Sequence, residues 1–183
     1  MLPITPLLAA FLFLPVLAHA QPGEDDTSGR VLAIRTVYDQ INADSSLRRV
    51  VLDEKEWGDG ETDGGGKLTG YFNGDTLCRM SLWVSLSYAV VRESYYFSKG
   101  ALVFVSESED DFPATGKDYS HLARAFEGRY YFDGDKVFKT IARGKKRMGP
   151  DDSHHPLELY HNAHYYYGLL IKKRGNVRLA ASH

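Results

Sequence analysis

The chain has 183 residues, a formal net charge of −2, 13% aromatic side chains and one cysteine, Cys78. A near-neutral balance gives no global field for nucleic acid, and a single cysteine rules out an internal disulfide, so the fold must stand on packing. No stretch beyond the N-terminus is long and apolar enough to predict a membrane-spanning helix.

Residues 1–20 read as a removable signal peptide. Leu7 to Leu17 is an apolar run interrupted by Pro15, and Ala18-His19-Ala20 supplies the small residues of an A-x-A cleavage site before Gln21. The run is too short to span a bilayer. It predicts an exported protein, periplasmic or extracellular after cleavage near Ala20. Residues 21–28 are polar without periodicity and predict a flexible leader.

A helix is expected from about Ser28, because Val31, Ile34, Val37, Tyr38 and Ile41 recur at helical spacing. Val50-Val51-Leu52 predicts a short strand. The following segment, Trp57 to Lys67, carries three acids and three consecutive glycines, which predicts a loop. Asp59, Glu61, Asp63 and Gly64 imitate the start of a calcium loop, but Gly70 stands where the bidentate Glu is needed.

Three hairpin units follow. Tyr71-Phe72-Asn73-Gly74-Asp75-Thr76-Leu77, Tyr95-Tyr96-Phe97-Ser98-Lys99-Gly100-Ala101-Leu102 and Tyr130-Tyr131-Phe132-Asp133-Gly134-Asp135-Lys136-Val137 each read as aromatic strand, Gly-bearing turn, aliphatic strand. Asn-Gly and Asp-Gly supply the positive φ angles of a type I′ turn. In the first unit Cys78, Met80, Leu82 and Val84 alternate onto one face, which predicts a core position for Cys78. Ser120 is placed to cap a short helix over 121–126. The closing helix, about 155–174, has Asp152 or Ser153 as caps, Pro156 in its first turn, Lys172, Lys173 and Arg174 in its last, and Gly175 as its stop. A disordered tail is expected over 179–183.

The units over about 67–105 and 129–142 resemble the aromatic-aromatic-x-x-Gly-x-Leu hairpins of MORN-like and YwqK-type repeat proteins, with irregular spacing and without the second glycine motif of a MORN unit. The layout is also similar to small exported bacterial proteins of no assigned activity. The resemblance implies a fold and no reaction. The expectation is one α+β domain over 29–178: an antiparallel meander sheet of five to seven strands, with an N-terminal and a C-terminal helix packed on one face.

Two constellations are candidate sites. Tyr71, Tyr95, Tyr96, Tyr130 and Tyr131 precede turns at matching positions. Alternation turns one of each doublet inward, and the outward ones form a candidate strip for a peptide, a glycan or another envelope component. Cross-strand pairing that stabilises the sheet is their structural role. His154, Glu158, His161 and His164 lie at i, i+4, i+7 and i+10 of the closing helix, a candidate transition-metal site for a metal-binding protein or metal-dependent enzyme. No H-E-x-x-H, nucleophile elbow, Walker loop or dinucleotide fingerprint occurs. The two basic clusters, Arg143 to Arg147 and Lys172 to Arg178, read as surface charge. The expected function is that of a non-enzymatic exported binding module.

Overall fold

The computed structural model describes residues 24–58, 62–147 and 155–180. The expected signal peptide, His154, Asp59 and Glu61 lie outside the described residues. The elements in chain order are α1 (Glu24–Ala43), β1 (Arg48–Asp53), α2 (Glu54–Trp57), β2 (Gly66–Asn73), β3 (Thr76–Ser85), β4 (Ala89–Ser98), β5 (Ala101–Asp111), β6 (Ala123–Asp133), β7 (Lys136–Gly144) and α3 (His155–Ala180). The seven strands form one antiparallel sheet in the order β1 to β7, each paired with its chain neighbour. This is the α+β meander that the tight turns imply.

The three aromatic hairpins are structural repeats down to their irregularities. A register shift occurs at the same place in each: between Tyr71 and Phe72, Tyr96 and Phe97, and Tyr131 and Phe132. The turns differ from the expected type. Asn73 pairs with Thr76 and Asp133 with Lys136, so Gly74-Asp75 and Gly134-Asp135 are the connections. Only the glycines there have positive φ (55° and 62°), the glycine-first pattern of a type II′ turn. Two consecutive positive φ angles, as type I′ requires, occur instead at Lys99 (51°) and Gly100 (82°). The first bulge also displaces Cys78. Phe72 pairs with Leu77 and Tyr71 with Arg79, so Leu77 and Met80 become core and Cys78, the extra residue, is partly exposed.

The two long helices lie on opposite faces of the sheet, which corrects the expectation of one face. Tyr95, Val105 and Tyr130 form one cross-strand row, and with Leu68, Met80 and Leu82 they pack against Leu159, Ala163, Tyr166 and Leu170 of α3. The neighbouring row, Tyr96, Phe104 and Tyr131, points the other way and is met by Val31, Ile34 and Ile41 of α1. Successive strand residues face opposite sides, so each Tyr doublet feeds both layers. Two helices on one face would have left half of each doublet in water.

The layers differ in quality. Helix α3 buries Leu159, Ala163 and Leu170 completely, and it approaches so closely that a Cβ on Gly70 would lie 3.0 Å from a Leu170 methyl. Helix α1 buries no described side chain fully. It is held by Tyr38 against the Tyr96 ring, by Arg30 on Asp133 (2.8 Å) and by Asn42 accepting from Arg79 (2.6 Å).

Three further expectations are corrected. Residues 24–28 are helical, in place of a leader that extends to residue 28. The segment expected as a short helix enters β6 at Ala123, because Phe126, Gly128 and Tyr130 alternate onto the α3 face opposite Glu109, Glu107 and Val105. Helix α3 continues through Gly175 to Ala180, into the expected tail. A glycine within a helix weakens it by about 1 kcal/mol relative to alanine, which does not suffice to end it.

Candidate functional site: an acidic pocket beneath the last helix

One row crossing the sheet begins as core and changes character. Leu52, Leu68 and Leu82 are cross-strand neighbours and nearly inaccessible, and the row then continues through Glu93, Glu107 and Gly128. Glu109, two residues beyond Glu107, shares that face. Glu107 and Glu109 are each only 2% exposed. Buried carboxylates require partners or a shifted protonation state, and this site uses both.

Glu107 is held by two basic side chains. His155, at the start of α3, meets Glu107 Oε2 through Nε2 at 2.6 Å, and Lys146, from the segment after β7, forms an ion pair with Glu107 Oε1. Burial alone raises the Glu107 carboxyl. The hydrogen bond from His155 and the charge and hydrogen bond of Lys146 outweigh it, so Glu107 sits below the usual carboxylate range. Glu109 accepts the backbone N–H of Arg147 at 3.0 Å. Glu93 has the Tyr95 hydroxyl as donor and no ion pair among the described residues. Burial first, and then the charge of Glu107, push Glu93 up to about 7, against the opposing Tyr95 hydrogen bond and the charges of Lys146 and His155. Two glutamates directly opposite one another thus hold their protons at different pH.

These groups line a cavity of about 470 Å³ together with Tyr88, Asn162 and the exposed Asp63, Ser87 and Glu158. Its volume falls in the range of small-molecule sites. His155 Nδ1 is buried without a hydrogen-bond partner among the described residues, with Glu158 Oε2 at 3.7 Å. Five carboxylates face two basic side chains, so the cavity is electronegative.

The sign of Glu93's shift makes a stability prediction. A carboxyl whose folded pKa lies above its unfolded value contributes stability that is full below about 4.5 and is lost as pH rises through 7. Glu93→Gln keeps an acceptor for Tyr95 and removes the ionisation. It leaves stability unchanged near pH 4 and raises it by about 2 kcal/mol at pH 8, after allowance for partial solvent screening, as read by urea denaturation at the two pH values.

The tyrosines of the sequence-derived strip fall elsewhere. Tyr95 and Tyr130 are buried under α3, and Tyr96 and Tyr131 are buried on the α1 face. Tyr71 is partly exposed and carries the Arg79 guanidinium on its ring at 4.4 Å. Both helices cover what was expected to be an open aromatic face, so these residues serve chiefly as core. On α3, Glu158 reaches the pocket, whereas His161 and His164 are exposed on the side away from the sheet, His164 against the Tyr160 ring at 4.5 Å. Among the described residues no group of three His, Cys, Asp or Glu is arranged to hold a metal ion.

Sequence reading missed His155, Lys146, Glu93, Glu107 and Glu109. A signal was present: Val91-x-Glu93-x-Tyr95 and Val105-x-Glu107-x-Glu109 put acids in core phase with apolar residues. Lys146 carried none, since its basic cluster reads as surface charge.

No protein-family model, curated protein or solved structure matches this chain.

Proposed function

We propose that the protein is an exported binding module whose acidic pocket takes the ammonium group of a small amine. The observation that carries this reading is Lys146. The chain's own primary ammonium already sits on Glu107, while Glu93 and Glu109, on the same face, make no ion pair with any lysine or arginine among the described residues. A second ammonium entering past Asp63 and Glu158 meets carboxylates without an ion-pair partner, while the Tyr88 ring in the lining already carries the Arg147 guanidinium at 5.1 Å. Export rests on the apolar run over 7–17 and on Ala18-His19-Ala20.

The test is calorimetric titration with n-butylamine, putrescine and spermidine. Because a bound cation favours ionised Glu93, affinity rises by up to about tenfold between pH 6 and 8 and levels off above. Glu93→Gln removes the pH dependence and weakens binding. Absence of binding by all three amines at about 10 mM, or affinity indifferent to Glu93→Gln and Glu109→Gln, refutes the reading.

One observation favours a second reading. A carboxyl at about 7 beside an ionised one is how acid and base roles are divided between like groups. An acid–base catalyst would lose turnover, with ligand affinity retained, in Glu93→Gln. The metal alternative on His154, Glu158, His161 and His164 is decided by elemental analysis of untagged protein.

A further inference from the structure

The opposite face carries a second cavity, also about 470 Å³, between α1 and strands β4 to β6. Its existence follows from how little α1 covers. The helix sits on the row Tyr96, Phe104, Tyr131 and leaves the next two rows of that face open. Those rows are polar: Ser94 pairs with Ser106 and Ser106 with Arg129, then Arg92 pairs with Ser108 and Ser108 with Glu127. A sheet surface beside an aromatic cluster would ordinarily continue apolar or be capped by charge. Here its floor is three serines.

Ser94, Ser106 and Ser108 make no side-chain hydrogen bond among the described residues. The arginines around them are fixed. Asp110, whose side chain is 8% exposed, accepts from Arg92 and from Arg124, and Glu127 accepts from Arg129 at 2.5 Å. Each guanidinium has five N–H donors in a rigid plane, so one carboxylate contact leaves several directed outward. Arg92, Arg124 and Arg129 stay 42%, 52% and 47% exposed. Tyr38 of α1, 37% exposed, provides an aromatic wall at the other end.

We infer that this groove binds an acidic saccharide, its hydroxyls on the serine floor, its carboxylate or sulfate on the arginine end and one ring face against Tyr38. Fixed donors, unpartnered hydroxyls and one aromatic wall match a polyhydroxylated ring better than an apolar ligand. Arg35, Arg92, Arg124 and Arg129 outnumber Asp39, Glu127 and the adjoining Asp110, and the carboxylate of Glu107, which also borders the groove, is held on the α3 face by Lys146 and His155, which favours an anionic ring over a neutral one. The sheet separates the groove from the acidic pocket, and Glu107 of β5 borders both.

The test is calorimetric titration with galacturonic acid trimer, glucuronic acid and a sulfated heparin disaccharide, with maltotriose as neutral control. Binding of at least one acidic sugar, weakened about tenfold or more in Arg129→Gln and also weakened in Ser106→Val at unchanged thermal stability, supports the site. Glu93→Gln leaves it unaffected, which separates this result from the amine reading. Failure of all three acidic sugars to bind at about 10 mM, equal binding of maltotriose, or binding insensitive to both groove variants overturns the inference.

Discussion

Glu107→Ala lowers the unfolding free energy by about 3–5 kcal/mol at pH 7, the cost of removing one member of a buried charged set. The carboxylate is 2% exposed and is the meeting point of His155 from α3 and Lys146 from the segment after β7. Its loss strands the Lys146 ammonium, whose side chain is 19% exposed, and leaves a void beside Gly128. The pH dependence identifies the cause. Glu107 has a lowered folded pKa, so its contribution is present above the unfolded value near 4.5 and is lost as pH falls through the folded one. The variant's deficit, measured by urea denaturation, is therefore larger at pH 7 than at pH 3. A deficit of equal size at both would mean that packing, and not charge, is what the residue supplies.

Leu170→Ala costs about 3 kcal/mol, while His161→Ala, one helix face away, costs less than about 0.5 kcal/mol. Leu170 is completely buried against Gly70 and the core below α3. His161 is exposed. The ratio of the two effects, from thermal or denaturant unfolding, tests which side of α3 faces the sheet. Comparable losses would contradict the packing of Leu159, Ala163, Tyr166 and Leu170 on strands β1 to β6. Relocation of α3 would also remove His155 from Glu107, so the same pair of variants checks the architecture on which the acidic pocket depends.

The meander was legible because its information is local. A Gly-bearing turn between an aromatic and an aliphatic run specifies a hairpin within eight residues, and three such hairpins in succession leave few alternatives to neighbour pairing. Boundaries and turn types were less legible. At Gly74 and Gly134 a bulge two to three residues upstream sets which residue occupies the first turn position, and a bulge depends on both strands at once. Cys78 lost its expected core place for the same reason.

The candidate sites were harder. Tyr95 and Tyr96 carry the same signal in sequence, yet each packs under a different helix, and no periodicity within β4 states which helix takes which side. The histidines of α3 divide likewise: His161 and His164 stood out by spacing, whereas the buried partner of a carboxylate is His155, whose significance depends on a glutamate 48 residues earlier.

By itself the chain determined that strands would follow one another in order, that a helix would stand at either end and that no disulfide would be needed, since turn chemistry, hydrophobic period and cysteine count act over short range. Tertiary structure alone decided that the helices take opposite faces, that Glu93, Glu107 and Glu109 share a cavity with Lys146 and His155, and that α1 leaves a serine-floored groove uncovered. These are contacts between residues far apart along the chain. Their energies depend on burial, and burial is fixed only when the layers close.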